Sequence, residues 1–252
     1  MTVRIDEPEP RVRRIRLDRP EARNAINEAV RTALYDAVTD AVADDAVRAL
    51  LIAGAGGVFS GGGDLPSLVG LDEAAARERL RDGHRIVAAF WNCPKPVLAA
   101  VERFAVGAAA GLTLLADEIV IGRSAFLSFP FLRLGLIPDW GLGATLRIRA
   151  GAVAAARLLR EGEPVGAEQA VSLGLADRVV DDDQVMADTL AAALRAAALP
   201  PAAFARLKRA MRGDAATVLA LEAEANAQAE CIASAEFQEG YAAFREKRPP
   251  NF

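Results

Sequence analysis

Two glycine-rich stretches and one isolated acid hold the residues of this chain whose types and spacing could do chemistry. In FSGGGDL, Gly61, Gly62 and Gly63 follow an apolar run that reads as a buried strand, and Asp64 follows them. In FAVGAAAGL, Gly107 and Ala108 stand where an apolar helix begins. Glycine lets a ligand approach the backbone closely and lets N–H groups turn outward. The first N–H groups of a helix have no partner within it and lie at the positive end of its dipole. If the two loops meet, one N–H from each converges on a single oxygen, which is the arrangement that stabilises a developing oxyanion. Taken singly, each stretch reads equally as a tight turn after a strand or as close helix–sheet packing. No Gly-Lys-Ser/Thr follows the glycines, so this is not a phosphate loop, and the dinucleotide spacing is absent too. The isolated acid is Asp139, in IPDWG. Trp140 and Phe131 nearby would desolvate it and raise its pKa. It can equally serve as the cap of a helix that begins near Gly141.

Other reactive side chains are few. His84, the single histidine, lies on the helix after the glycine loop and reads as a surface residue. Cys93 and Cys231 are far apart. No metal site or disulfide framework is expected from them, and a reducing cytoplasm is the simplest location. No serine has a base at hand for a triad.

The elements that must position these residues follow from periodicity and punctuation. Residues 12–17 alternate as a strand with arginines on the wet side. Asn27 reads as the N-cap of a helix whose stripe is Val30, Leu34, Val38 and Val42. Residues 48–54, KPVLAAV and EIVIG read as buried strands, with a helix of mixed charge over 72–91 between the first two. From about Leu142 the chain is mostly helical, apart from a short helix stopped at Gly174 and a strand after it. Residues 182–244 read as helices broken at Pro200, Pro201 and Gly213. Alternation of strand and helix followed by helices alone predicts an α/β core over residues 1–190 and a helical C-terminal segment over 191–252. The 252 residues suffice for one large domain, and the net charge of −4 argues against a dedicated nucleic-acid binder. The N-terminus has no apolar signal core, and uncharged runs such as Phe104 to Ala116 are too short to span a bilayer, so no membrane partner is expected.

The order of six segments is more specific than any one of them. LDRPEARNAIN, FSGGGDL, KPVLAAVERFAVGAAAGLTLLADEIVIG, RLGLIPDWGLG, GAEQAVSLGLADRVV and AFREKRPPNF occur in turn along nearly the whole chain. Together they resemble the enoyl-CoA hydratase/isomerase (crotonase) family. The resemblance implies a spiral of ββα repeats whose helical C-terminal segment packs a homotrimer, often paired into a hexamer. It implies an acyl-CoA substrate, with coenzyme A as part of that substrate and no separate cofactor. It puts the two oxyanion donors at Gly63 and Ala108, and it puts Gly62, Gly107, Gly111, Phe131 and Trp140 around the substrate. Asp64 is expected beside them, holding the oxyanion loop, and Asp117 is expected to be structural. Arg23 matches a basic position near the CoA phosphates, or is a solvated turn residue. Lys247 and Phe252 could reach a neighbouring subunit's CoA, or form a simple tail.

The departures from the family pattern bear on the reaction. Hydratases of this family carry two glutamates, and the matching positions here are Gly111 and Phe131. Hydration needs a base for water and an acid for carbon, so an ordinary hydratase is disfavoured. Asp139 stands where some family isomerases carry an aspartate. One carboxylate suffices to take a proton beside the thioester and return it elsewhere, so double-bond isomerisation is the expected activity. A non-catalytic acyl-CoA-binding protein is an alternative. So is another thioester reaction, such as hydrolysis, decarboxylation or atypical hydration. Glu102 and Arg103 replace the family's usual Asn-Gly, and either pair on the surface or alter the pocket mouth.

Overall fold

The computed structural model describes residues 2–252, with residues 216 and 217 described by their backbone alone. The chain begins with β1 (Val3–Glu9), β2 (Val12–Leu17), α1 (Glu28–Ala43), β3 (Ala49–Gly54) and α2 (Glu73–Trp91). Then come β4 (Val97–Val101), β5 (Phe104–Val106), α3 (Ala108–Leu114), β6 (Glu118–Gly122), β7 (Phe126–Ser128) and α4 (Leu142–Glu161). Next are β8 (Val165–Gly166), α5 (Ala167–Ser172), β9 (Arg178–Val180), α6 (Val185–Ala197) and α7 (Pro201–Arg212). The last helices are α8 (Ala215–Val218), α9 (Leu221–Ile232) and α10 (Ala235–Glu246).

Six strands form one sheet in the order β1-β2-β3-β4-β6-β9, and β5, β7 and β8 form a second. Only the β1–β2 hairpin is antiparallel in the large sheet. β3 and β4 are buried at every position, as parallel strands covered on both faces must be, which explains their unbroken apolar runs. β4 joins the large sheet and β5 the small one before α3; β6 and β7 repeat the step. This is the expected ββα spiral.

Local signals hold where side chains act on their own backbone. Asn27 caps α1 by accepting the Val30 N–H at 3.0 Å, and Asp72 caps α2 by accepting that of Ala75 at 2.8 Å. β1 was not visible in the sequence, because of its residues only Val3 is buried. Its Asp6 pairs with Arg14 at 2.6 Å and Arg16 at 3.0 Å, which accounts for the arginines on the wet side of β2. FAVGAAAGL is a strand turning into a helix, not a helix start alone, since Phe104–Val106 pairs with β7.

The C-terminal helices complete the core. α6 runs through residue 190 and buries Val185, Ala192 and Ala193 with Leu51 and Leu98 of the large sheet. Ala225, Ala229, Ile232 and Phe237 enter the main core. Asp117 accepts the Val97 N–H at 2.8 Å and pairs with Lys208 at 2.6 Å and Arg212 at 2.7 Å. It thereby ties α7 to the sheet. Among the described residues no single helix is long and apolar enough to cross a membrane.

Candidate active site

The glycine loop is built on Asn24, a buried residue at φ +56°. Its Nδ2 donates to the carbonyls of Ala55 at 2.9 Å, Val58 at 2.8 Å and Phe59 at 3.2 Å. Buried Ser60 donates from Oγ to the Asn24 carbonyl at 2.8 Å and accepts the Gly62 N–H at 3.0 Å. Both residues escaped the sequence reading. Their only signal was an asparagine in a turn, a residue type that tolerates positive φ.

Gly62 sits at φ +97°, and a Cβ there would lie 2.4 Å from the Val106 carbonyl oxygen and 3.7 Å from the Ala108 nitrogen. The two glycine-rich stretches therefore meet. Ile26 bridges to Gly63 through the Gly62 carbonyl and the Asp64 N–H, which turns the Gly63 N–H away from that pairing. Among the described residues, neither the Gly63 nor the Ala108 N–H donates to an acceptor in the chain.

Both groups border a cavity of about 850 Å³. Its floor is apolar, with Leu65, Leu68, Phe131 and Leu136, and Asp139 lies in its wall. Arg23, Arg133, Lys247 and Arg248 stand around it. Arg133 is paired with Glu163, and Arg248 with Glu239 and Glu246. Among the described residues, exposed Arg23 and Lys247 have no ion-pair partner. The cavity thus gathers Arg23, Gly62, Gly63, Gly107, Ala108, Phe131, Asp139 and Lys247. Lys247 lines the cavity of its own chain.

Three residues expected at the substrate, Asp64, Gly111 and Trp140, do not line the cavity. Asp64 lies outside the lining; its carbonyl accepts from Ser67, and its carboxylate comes no closer than 3.9 Å to Arg19. Backbone, with Asn24 and Ser60, holds the loop instead. Phe252 is exposed on the tail and does not line the cavity of its own chain; its expected reach was toward a neighbouring subunit. Gly111 and Trp140 lie behind the wall, against each other: a Cβ on Gly111 would lie 3.1 Å from the Trp140 Cβ. The indole packs toward Gly83 of α2, whose Cβ would lie 3.2 Å from Nε1. Gly111 is thus the socket for residues 139 and 140. Glu102 and Arg103 border neither the cavity nor, among the described residues, any ion pair, while the Glu102 carbonyl receives the Phe59 N–H.

Asp139 is not a side-chain cap, because α4 is capped by Gly141 at φ +68° with no side-chain hydrogen bond. The residue is partly exposed to the cavity, yet its Oδ1 is shut off from solvent and has no hydrogen-bond partner. Burial, then the charge of Glu224, pushes its carboxyl up to about 7, against the pull of Arg79. His84 is not a surface residue. It is buried, with Nε2 2.7 Å from Glu224 Oε1 on α9. The stripe of α2 turns it inward, which the isolated residue type did not reveal. Among the described residues no three His, Cys, Asp or Glu side chains gather as a metal site would require.

Comparison with known proteins agrees with this architecture. The sequence model for enoyl-CoA hydratase/isomerase matches residues 7–252. A probable enoyl-CoA hydratase of Rhodobacter capsulatus is 39% identical over 94% of this chain and 93% of its own. The 1,2-epoxyphenylacetyl-CoA isomerase of Escherichia coli is 34% identical over 98% and 97%. The crystal structure of an enoyl-CoA hydratase/isomerase from Pseudoalteromonas atlantica matches over the full length of both chains, with a TM-score of 0.89 and 31% identity.

Proposed function

The chain belongs to the enoyl-CoA hydratase/isomerase family, and from that premise we propose that it moves the double bond of an enoyl-CoA, with Asp139 as its single proton carrier. The observation behind this reading is Asp139 itself: a carboxylate in the wall of an apolar cavity, pushed up to about 7, with an oxygen that has no partner. A general base works best when its pKa lies near the working pH.

In the proposed reaction the thioester carbonyl oxygen lies between the N–H groups of Gly63 and Ala108. The Asp139 carboxylate takes a proton from the α carbon; the C–H electron pair becomes a C1–C2 double bond and the carbonyl π pair moves onto oxygen, giving a dienolate. The two N–H groups hold the negative oxygen. Protonated Asp139 then returns the proton at the γ carbon while the electrons flow back. The C3–C4 double bond becomes C2–C3, and no proton is gained or lost. Arg23 and Lys247 supply free positive charge for the CoA phosphates. Phe131 and the leucines keep water from the dienolate. The 39% identical relative is named a hydratase, but hydration needs a second proton carrier at the substrate, and Gly111 and Phe131 offer none.

Solvent deuterium exchange at the α and γ carbons of a panel of acyl- and 3-enoyl-CoAs tests this reading. Asp139→Asn is expected to lower exchange and turnover by about 10²–10⁴-fold with binding retained. Full turnover in that variant would remove Asp139 from the mechanism. Binding without exchange of any thioester in the wild type would favour a non-catalytic acyl-CoA-binding protein.

A further inference from the structure

The segment that carries Asp139 is held from one side by α9. Gln228 Oε1 accepts the Ile137 N–H at 2.9 Å, and Glu224 Oε1 accepts the Gly141 N–H at 3.0 Å. Residues 224 and 228 are one helical turn apart and so lie on one face. The backbone groups they bind lie two residues before and two residues after Asp139. The neutral Gln228 side chain also favours the ionised form of the Asp139 carboxyl. Glu224 is held in turn by His84 of α2, at 2.7 Å, with both side chains about nine-tenths buried. Neither Glu224, Gln228 nor His84 lines the cavity. A buried carboxylate beside a second buried carboxylate costs stability unless something else requires it, and a fold needing only a link between α9 and the 137–141 segment could use two glutamines.

We propose that Glu224, fixed by His84, and Gln228 are positioning residues that aim the Asp139 carboxylate at the cavity and set when it carries a proton. The catalytic part rests on the function proposed above; the geometry of the clamp does not. The charged and titratable groups around Asp139 are Glu224 from α9 and Arg79 and His84 from α2. Arg31 of α1 and Asp64 of the glycine loop stand beyond, near Arg79. Of these Glu224 is the anion that acts on Asp139, and it opposes ionisation. Its replacement by a neutral amide removes that opposing charge and favours the Asp139 carboxylate, provided His84 keeps its own charge. Gln228→Glu works the other way: it keeps the acceptor for the Ile137 N–H but puts an anion where a neutral amide stood.

The test is carboxyl-carbon NMR on protein labelled at aspartate, with the Asp139→Asn spectrum assigning the Asp139 resonance. Its titration midpoint is expected to fall by about one pH unit in Glu224→Gln and to rise by about one in Gln228→Glu. Both substitutions are near-isosteric, and either folded variant alone decides its sign. The acid limb of α-carbon exchange should move in the same two directions, with KM for the acyl-CoA unchanged. A purely structural role predicts lower stability with no opposed shifts. A midpoint unmoved in both variants, or moved the same way in both, overturns the proposal. If Asp139→Asn exchanges at the wild-type rate while the opposed NMR shifts persist, the isomerase reading falls and the clamp stands. If Asp139→Asn abolishes exchange and the midpoints do not move, the clamp falls and the isomerase reading stands.

Discussion

At position 62 two constraints coincide. A φ of +97° excludes side chains by backbone strain, and a Cβ would meet the Val106 carbonyl oxygen at 2.4 Å. Gly63, next to it, has neither problem: nothing lies within 4 Å of its Cβ position. Gly62→Ala is therefore expected to cost about 1–3 kcal/mol of stability from strain alone. It should also lower turnover by about 10²-fold or more, because displacing the loop from β5 moves the Gly63 donor. Gly63→Ala should leave stability within about 0.5 kcal/mol. Denaturant melts of the two variants check this, and equal losses would mean that the loop is not pressed against β5. The same close packing explains why Gly111→Glu would not rebuild a hydratase. A Cβ at 111 already presses on Trp140, which itself sits at φ +59°.

Between elements, the firmest polar link is Asp117, which joins β4, the start of β6 and α7. Lys208 is nearly buried there, and burial lowers its pKa despite the carboxylate beside it. The two ends of the link are not equivalent. Without Lys208, Asp117 keeps Arg212 and the Val97 N–H; without Asp117, two largely buried cations lose their counter-charge. Asp117→Ala is expected to cost about 3–5 kcal/mol and Lys208→Met about 1–2 kcal/mol or less. Chemical denaturation measures both, and a larger loss for Lys208→Met would contradict this account. Neither change touches the cavity, so KM should hold in the folded fraction.

For the molecule as a whole, Asp139 should appear as a stability cost that depends on pH. Its folded pKa of about 7 lies above the ordinary value of 3.8. Below pH 4 both folded and unfolded chains hold the proton, and the group costs nothing. Between those two values the folded chain binds more protons than the unfolded one, so stability falls as pH rises, and above 7 the full cost is present. Asp139→Asn removes it. The variant's gain in unfolding free energy over wild type, measured by denaturant melts, should be near zero at pH 4, grow toward pH 7 and then level off, with a ceiling of about 4 kcal/mol. A gain independent of pH would mean that the carboxyl is not desolvated. Such a gain in stability against a loss of turnover is the exchange expected if the desolvated carboxyl serves the proposed reaction.

What the sequence determined by itself was whatever depends on neighbours along the chain. Asn27 and Asp72 cap their own helices, β3 and β4 declare burial by unbroken apolar runs, and Gly62 marks a backbone conformation few other residues adopt. The order of short motifs carried the fold class, because together they follow the succession of strands, turns and helices along the chain. Tertiary structure alone decided what depends on distant partners. Nothing near His84 in sequence indicates that Glu224 closes over it, and nothing near Gly111 shows that it makes room for Trp140. The environment of Asp139 is assembled from α2, the 137–141 segment and α9. Its desolvation therefore exists only once the C-terminal helices have docked, since a carboxyl's proton affinity follows the charges and water around it rather than the residues beside it in the chain.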